Sequence, residues 1–103
     1  MGMEMNAVVT LQRKSAAAGY PAADAVEAEA PVWACVEAPT ASFRAQMGSG
    51  GMSVDLIAHC WRAEYDAVVP THLITGGVEY RIETENRSVN DQMIKLLLRR
   101  ARA

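Results

Sequence analysis

The sequence has few aromatic residues and few cysteines. Its 103 residues include one Phe, two Trp, three Tyr and two Cys. The two cysteines, Cys35 and Cys60, form no CxxC pair and no pattern of paired metal ligands. We therefore expect both cysteines to be reduced thiols that pack as small apolar side chains in a cytoplasmic protein. We expect neither a disulfide framework nor a metal site.

The sequence also lacks a long apolar run and a strong charge of either sign. No stretch reaches the roughly 18 apolar residues of a membrane-spanning helix, and the start MGMEMNAVV has no basic region followed by an apolar one. We therefore expect neither a membrane span nor a signal peptide. The formal net charge of −2 and the pI near 5.6 disfavour a protein that holds duplex DNA through clustered Lys and Arg.

Motifs of catalysis and metal binding are missing as well. There is no GxSxG, P-loop, HExxH or paired-carboxylate motif. His59 and Cys60 are adjacent on a predicted strand, so their side chains leave on opposite faces and cannot hold one metal ion. The glycine-rich residues 48–51 lack the Lys-Ser/Thr of a phosphate-binding loop. We therefore expect no enzyme, no cofactor and no metal.

What the sequence does contain is the alternation of apolar and polar residues that is typical of strands. The length suits one domain over residues 1–103, whose thin core would gain from neighbouring subunits. The alternation predicts strands at 6–14, 32–37, 73–75 and 78–82. Residues 54–62 are apolar on both faces, which predicts a buried strand. The last segment, 91–100, fits either period, and we favour a strand because it would close an antiparallel all-β domain.

A Gly-Gly pair marks the clearest turn. Gly76 and Gly77 suit a two-residue hairpin loop with positive φ at both positions, and this loop pairs Thr75 with Val78. The same register places Leu73 opposite Tyr80. Residues 15–31 and 40–53 are expected to be exposed connections, and a short helix is expected around 40–47.

These elements predict a mainly β fold, a small antiparallel β-barrel or sandwich of about six strands with one short helix and long flexible loops. The apolar residues on the strands give the predicted core, which comprises Val9, Leu11, Trp33, Val36, Leu56, Trp61, Leu73, Tyr80, Ile82, Leu96 and Leu98.

The order of the motifs resembles the head-tail joining proteins of long-tailed bacteriophages, also called head closure or stopper proteins. The opening strand reads TLQR at 10–13, and the second strand reads VWACVE at 32–37. A later strand ends in HCWR at 59–62, and the hairpin reads GGVEYRI at 76–82. The resemblance covers roughly residues 8–99, although Cys60 stands where the family commonly has arginine.

The resemblance implies a structural protein of the virion neck, assembled in the host cytoplasm. It implies a homo-oligomeric ring of about twelve copies that docks under the portal or a head-tail adaptor protein. The ring would present a landing surface to the tail terminator or tail tube protein. Packaged DNA would pass through its lumen without sequence-specific binding, and the ring would help to retain that DNA.

Two groups of residues are candidates for these contacts. The lumen-facing loop that could narrow the channel comprises Phe43, Arg44, Gln46, Met47, Gly48, Ser49, Gly50 and Gly51. The surfaces that meet other rings comprise Tyr20, Asp24, Glu27, Glu29, Arg99, Arg100 and Arg102.

Two other functions stay open. One is a tail terminator or another ring component of the neck or tail, which would contact the tail tube instead of the portal side. The other is an oligonucleotide-binding barrel that stacks bases on Trp33, Trp61 and Tyr80. Two observations disfavour oligonucleotide binding. Trp61 and Tyr80 fall on strands expected to be buried, and basic residues do not accompany them.

Overall fold

The alternating segments form a closed six-stranded antiparallel barrel in the computed structural model, which describes residues 5–15, 25–49, 53–87 and 92–101. The strands follow the order β1-β2-β3-β6-β5-β4 around the barrel. They are β1 (Ala7–Ser15), β2 (Ala25–Glu37), β3 (Leu56–Trp61), β4 (His72–Thr75), β5 (Val78–Arg87) and β6 (Met93–Arg100), with helices α1 (Ala41–Ser49) after β2 and α2 (Arg62–Val68) after β3. The predicted small antiparallel barrel is confirmed.

Alternate residues of each strand point into the barrel and form its core. Predicted core residues that are buried are Val9, Leu11, Leu73, Leu96 and Leu98, and those that are partly buried and pack against them are Val36, Leu56, Tyr80 and Ile82. The prediction is wrong for two residues. Trp33 is 58% exposed and Trp61 is 43% exposed, because both lie on the outward face of their strands.

The Gly-Gly hairpin has the predicted register. Gly76 and Gly77 have φ angles of +57° and +76°, which glycine adopts without the steric cost that a Cβ atom imposes. Thr75 pairs with Val78, and Leu73 pairs with Tyr80. The hairpin joins β4 to β5 and brings β4 beside β1, where Leu11 pairs with Leu73.

The last segment is a strand, as its context predicted. β6 pairs with β3 from Leu56↔Leu98 to Trp61↔Met93, and it pairs with β5 on its other side. The β5–β6 register shifts between Ile82 and Thr84. This strand closes the barrel, since it lies between two strands that would otherwise have free edges.

The second strand begins earlier than the sequence predicted. Residues 25–31 belong to β2 and pair with β1, for example Glu29 with Gln12 and Pro31 with Thr10, so the expected connection at 15–31 is wrong over this part. Pro31 is tolerated because the β2–β3 pairing covers only Ala34–Glu37, which leaves Pro31 on an edge where no backbone donor is needed. Residues 16–24 lie outside the described part.

Helix α2 was not predicted. Its seven residues include Tyr65 and Val68, whose side chains are buried in the core. The helix ends at Val69, whose φ is +51° and whose N–H donates to the Tyr65 carbonyl at 2.8 Å. α2 packs against β1, β2, β3 and β6 and covers one end of the barrel.

Helix α1 was predicted but is longer than expected. The Thr40 hydroxyl accepts a hydrogen bond from the Phe43 N–H at 3.1 Å and caps its first turn. The helix continues through Gly48 and Ser49, which the sequence assigned to an irregular loop. Gly50 and Gly51 lie outside the described residues.

Truncation of a large side chain should change the free energy of unfolding much more on the inward face of a strand than on the outward face. Leu96→Ala should lower the free energy of unfolding by about 2–5 kcal/mol because it leaves a cavity at a fully buried site. Trp33→Ala should change it by less than about 1 kcal/mol because most of the indole is already in water. Urea denaturation of the two variants checks both values, and a larger loss for Trp33→Ala would contradict the outward placement.

Candidate interaction surface

Two tryptophans lie side by side on the outside of the barrel. Val8 pairs with Trp33, and Trp61 pairs with Met93. Ala34 pairs with Cys60, so the next position along these antiparallel strands sets Trp33 opposite Trp61. The resulting row, here called the tryptophan stripe, runs across β1, β2, β3 and β6 and comprises Val8, Trp33, Trp61 and Met93.

The tryptophan stripe is open to water. Val8 is 53% exposed, and the two indoles are similarly accessible. An open cleft of about 370 Å³ adjoins the stripe at Trp61 and is also lined by Arg62, Asp66 and Gln92. Exposed indoles in one row are typical of a contact surface, because tryptophan combines a large apolar area with few rotatable bonds.

Helix α1 covers another part of the same outer face. Phe43 and Met47 pack against a small second core made by Val54, Ile57 and Leu97. Every other residue of α1 is exposed. The Lys95 ammonium lies 5.2 Å from the centre of the Phe43 ring and adds a cation–π contact. Two side chains therefore hold α1 on the barrel.

A polar row separates α1 from the tryptophan stripe. Cys35 pairs with His59, and His59 pairs with Lys95 across β2, β3 and β6. The His59 Nε2 atom lies 3.7 Å from the Glu37 carboxylate. Burial lowers the pKa of His59 below its ordinary value of 6.5, and this effect outweighs the opposing attraction of Glu37. His59 is therefore neutral at pH 7.

The outer face also differs in charge from strand to strand. On β2, the carboxylates of Glu27, Glu29 and Glu37 share the outward face with Trp33. On β6, Lys95 and Arg99 lie at outward positions, and Arg100 is exposed at the end of the strand. β3 lies between these two strands and carries no Asp, Glu, Lys or Arg. The tryptophan stripe therefore crosses an acidic strand at Trp33 and a basic strand at Met93.

The predicted contact residues divide between these features. Six predicted lumen residues, Phe43 to Ser49 without Ala45, lie on α1, whereas Gly50 and Gly51 fall outside the described residues. Glu27 and Glu29 lie on the outer face of β2, and Arg99 and Arg100 lie at the end of β6. Tyr20, Asp24 and Arg102 also lie outside the described residues.

Sequence reasoning missed the tryptophan stripe, although the signal was present. Val32, Ala34 and Val36 alternate along β2 and share one face, which places Trp33 on the other face with Glu37. A single strand cannot direct both Val36 and Trp33 into one core. Strict use of the two-residue period would have placed Trp33 outside.

The two cysteines are free thiols. Burial raises the pKa of Cys60 to about 12, and the Glu64 carboxylate acts in the same direction, so the thiol stays protonated. Cys35 is half-buried. Within residues 5–15, 25–49, 53–87 and 92–101, no three His, Cys, Asp or Glu side chains are placed to hold a metal ion.

A second open cleft, of about 460 Å³, lies beside β4 and β5. Lys14 and Arg81 line it together with Glu83 and Glu85. The Lys14 ammonium is already 2.6 Å from the Glu79 carboxylate. Because cations and carboxylates alternate along this cleft, it favours no ligand of one charge sign.

Comparison with the models of known protein families, with curated proteins and with solved structures finds no match to this chain. No helix in the described ranges combines the length and hydropathy that a membrane crossing requires.

The lowered pKa of His59 predicts a pH dependence of stability. The folded protein binds this proton less readily than the unfolded chain does, so the free energy of unfolding should fall as the pH drops from 7.5 through 6.5. His59→Gln should reduce this pH dependence. Chemical denaturation at pH 7.5 and 5.5 measures it, with His72→Gln as the matched control. Equal pH dependence in the parent and His59→Gln would contradict the assignment.

Proposed function

We propose that this chain is a subunit of a ring at the neck of a long-tailed bacteriophage virion. The ring joins the portal or its head-tail adaptor to the tail and helps to retain packaged DNA. The observation that carries the proposal is the tryptophan stripe, a surface suited to contact with other proteins. The proposal also draws on the order of the sequence motifs, which occupy β1, β2, the end of β3 and the β4–β5 hairpin.

The small size of the core supports a role within an assembly. A 103-residue chain buries a modest fraction of its surface on folding. A ring subunit gains further burial from its neighbours. The exposed indoles supply apolar area for contact with neighbouring subunits. The barrel is closed, so its strand edges remain paired within the subunit.

Helix α1 supports the gating part of the proposal. Among its described residues, Phe43 and Met47 are the ones that pack on a core cluster, and the chain after it continues into Gly50 and Gly51. A short helix with so few buried contacts can leave its site at low energetic cost. We therefore assign residues 43–51 as the lumen-facing element that narrows the channel.

An oligonucleotide-binding barrel is the second candidate, and one observation favours it. Trp33 and Trp61 are exposed on adjacent strands, where the sequence had predicted Trp61 to be buried. The charges oppose this function, since Glu27, Glu29 and Glu37 share the outer face of β2 with Trp33. Tyr80 is directed inward and packs on the core, so it offers no stacking platform.

Disruption of the gene in the phage or prophage that carries it tests the proposed function. We expect electron microscopy of the lysate to show heads separate from tails, and a plasmid copy of the gene to restore joined particles. Mass spectrometry of purified virions should detect the chain, and cross-linking should join it to the portal side. Joined, infectious particles without the gene would contradict the proposal, and cross-links confined to the tail tube would favour the tail terminator.

Deletion of residues 48–51 tests the gating role. The deletion should leave a folded barrel and joined particles, because none of these residues belongs to a described core cluster. It should reduce the fraction of particles that keep their DNA. A variant with serine at Gly48, Gly50 and Gly51 preserves the length and serves as the control. Full heads with normal infectivity after deletion would remove the gating role.

A further inference from the structure

A hydroxyl, an imidazole and a carboxylate lie next to one another where β4 begins. The Thr71 Oγ1 atom is 2.7 Å from Nδ1 of His72. On the other side of the ring, His72 Nε2 is 3.7 Å from the Glu79 carboxylate. The Lys14 ammonium is 2.6 Å from the same carboxylate oxygen. A hydroxyl beside a base that a third group orients is the arrangement of an activated nucleophile.

The strand register brings these side chains together. His72 pairs with Arg81 of β5, so Glu79, two residues before Arg81, is a diagonal neighbour of His72 on the same face. His72 also pairs with Gln12 of β1, and Lys14 is therefore its diagonal neighbour on the opposite side. Pairing with both β1 and β5 places the ring between an ammonium and a carboxylate.

The hydrogen bonds around Thr71 assign the direction of its hydroxyl. Thr71 Oγ1 accepts the Lys14 backbone N–H at 3.1 Å and has one hydrogen to donate. This hydrogen can go to the Gln12 carbonyl at 3.5 Å or to His72 Nδ1 at 2.7 Å. The negative charge of Glu79 beside Nε2 favours the tautomer with its hydrogen on Nε2, which makes Nδ1 the acceptor. The Thr71 hydroxyl therefore donates to His72.

The hydroxyl lies on the wall of the second open cleft, the one of about 460 Å³ beside β4 and β5. Thr71 is exposed there, whereas the His72 side chain is only 13% exposed. The nucleophile is therefore accessible while its base is held in place. Arg81 also lines the cleft, where its guanidinium offers donors to a carbonyl oxygen. Cations and carboxylates alternate along this cleft, which suits an uncharged substrate better than an ion.

We propose that Thr71 is a nucleophile that accepts the acyl group of a small uncharged ester, with His72 as its general base and Glu79 as a positioning residue. Thr71 Oγ1 bonds to the carbonyl carbon and gives its proton to His72 Nδ1. The bond from this carbon to the alcohol oxygen breaks, and the alcohol leaves with that proton. Water then attacks the acyl-threonine, the acid is released, and the proton of the water returns through His72 to Thr71. This activity goes beyond the proposed neck function and does not depend on it.

Turnover of p-nitrophenyl acetate tests the nucleophile and the base. The parent should release p-nitrophenolate beyond one equivalent, and faster than imidazole at the same concentration does, because hydroxyl and base are held together. Thr71→Val and His72→Gln should each lower the rate at least about tenfold. Thr71→Ser keeps a hydroxyl and should retain the rate to within about threefold.

The matched controls are Thr10→Val on β1 and His59→Gln on β3, which should leave the rate unchanged. Circular dichroism verifies that every variant is folded. A parent that is no faster than imidazole would overturn the proposal, as would a Thr71→Val variant that is as fast as the parent.

Tandem mass spectrometry after an acid quench during turnover locates the acetyl group. We expect it on Thr71, as an ester that hydroxylamine removes. Acetylation of the Lys14 amine would give an amide that resists hydroxylamine, so the two products are distinguishable. Absence of the acetyl group from Thr71 would overturn the proposal, whatever other residue carries it.

The role of Glu79 is tested by the pH dependence of the rate. A general base must be unprotonated, so the rate should rise with pH as His72 loses its proton. The groups that face His72 are Gln12 and Lys14 on β1 and Glu79 and Arg81 on β5. Glu79 is the carboxylate among them and favours the protonated ring, so Glu79→Gln should shift the rise in rate to lower pH. An unchanged pH profile in Glu79→Gln would overturn the positioning role.

Discussion

Closure of the barrel is the constraint on which the rest of this structure depends. β6 pairs with β3 and β5 at once, and this double pairing gives every strand one inner and one outer face. The interior admits only the residues at alternate positions. Apolar side chains at the other positions must lie outside, however hydrophobic they are. Trp33, Trp61 and Leu97 are outside for this reason.

The chain covers only part of this outer apolar area. Helix α1 shields Ile57 and Leu97 with two side chains, but Trp33 and Trp61 stay in contact with water. The row of Cys35, His59 and Lys95 lies between α1 and the two indoles. It separates the part of the outer face that α1 covers from the part that stays exposed. This division agrees with the proposed function, in which the remaining apolar surface contacts other proteins.

The sequence predicted those elements whose signal is local. The Gly76-Gly77 turn set the β4–β5 register, and the need to close an all-β domain made 91–100 a strand. Three features depended on distant contacts. β2 extends through Pro31 because β1 lies beside it, α2 is stable because Tyr65 enters the core, and Trp33 is outside because Val36 is inside. Prediction failed there because tertiary packing overrides the propensity of short segments.

In the proposed ring, the strength required of a contact between subunits depends on where the copies meet. A contact made by one indole and a few exposed charges is weak between free molecules, since exposed ion pairs contribute little and salt screens them. Copies held side by side on a common scaffold meet at a high effective concentration, so the same contact is made repeatedly at little entropic cost. A small chain with a thin core, a fixed barrel and an exposed pair of tryptophans satisfies this requirement without a large interface of its own.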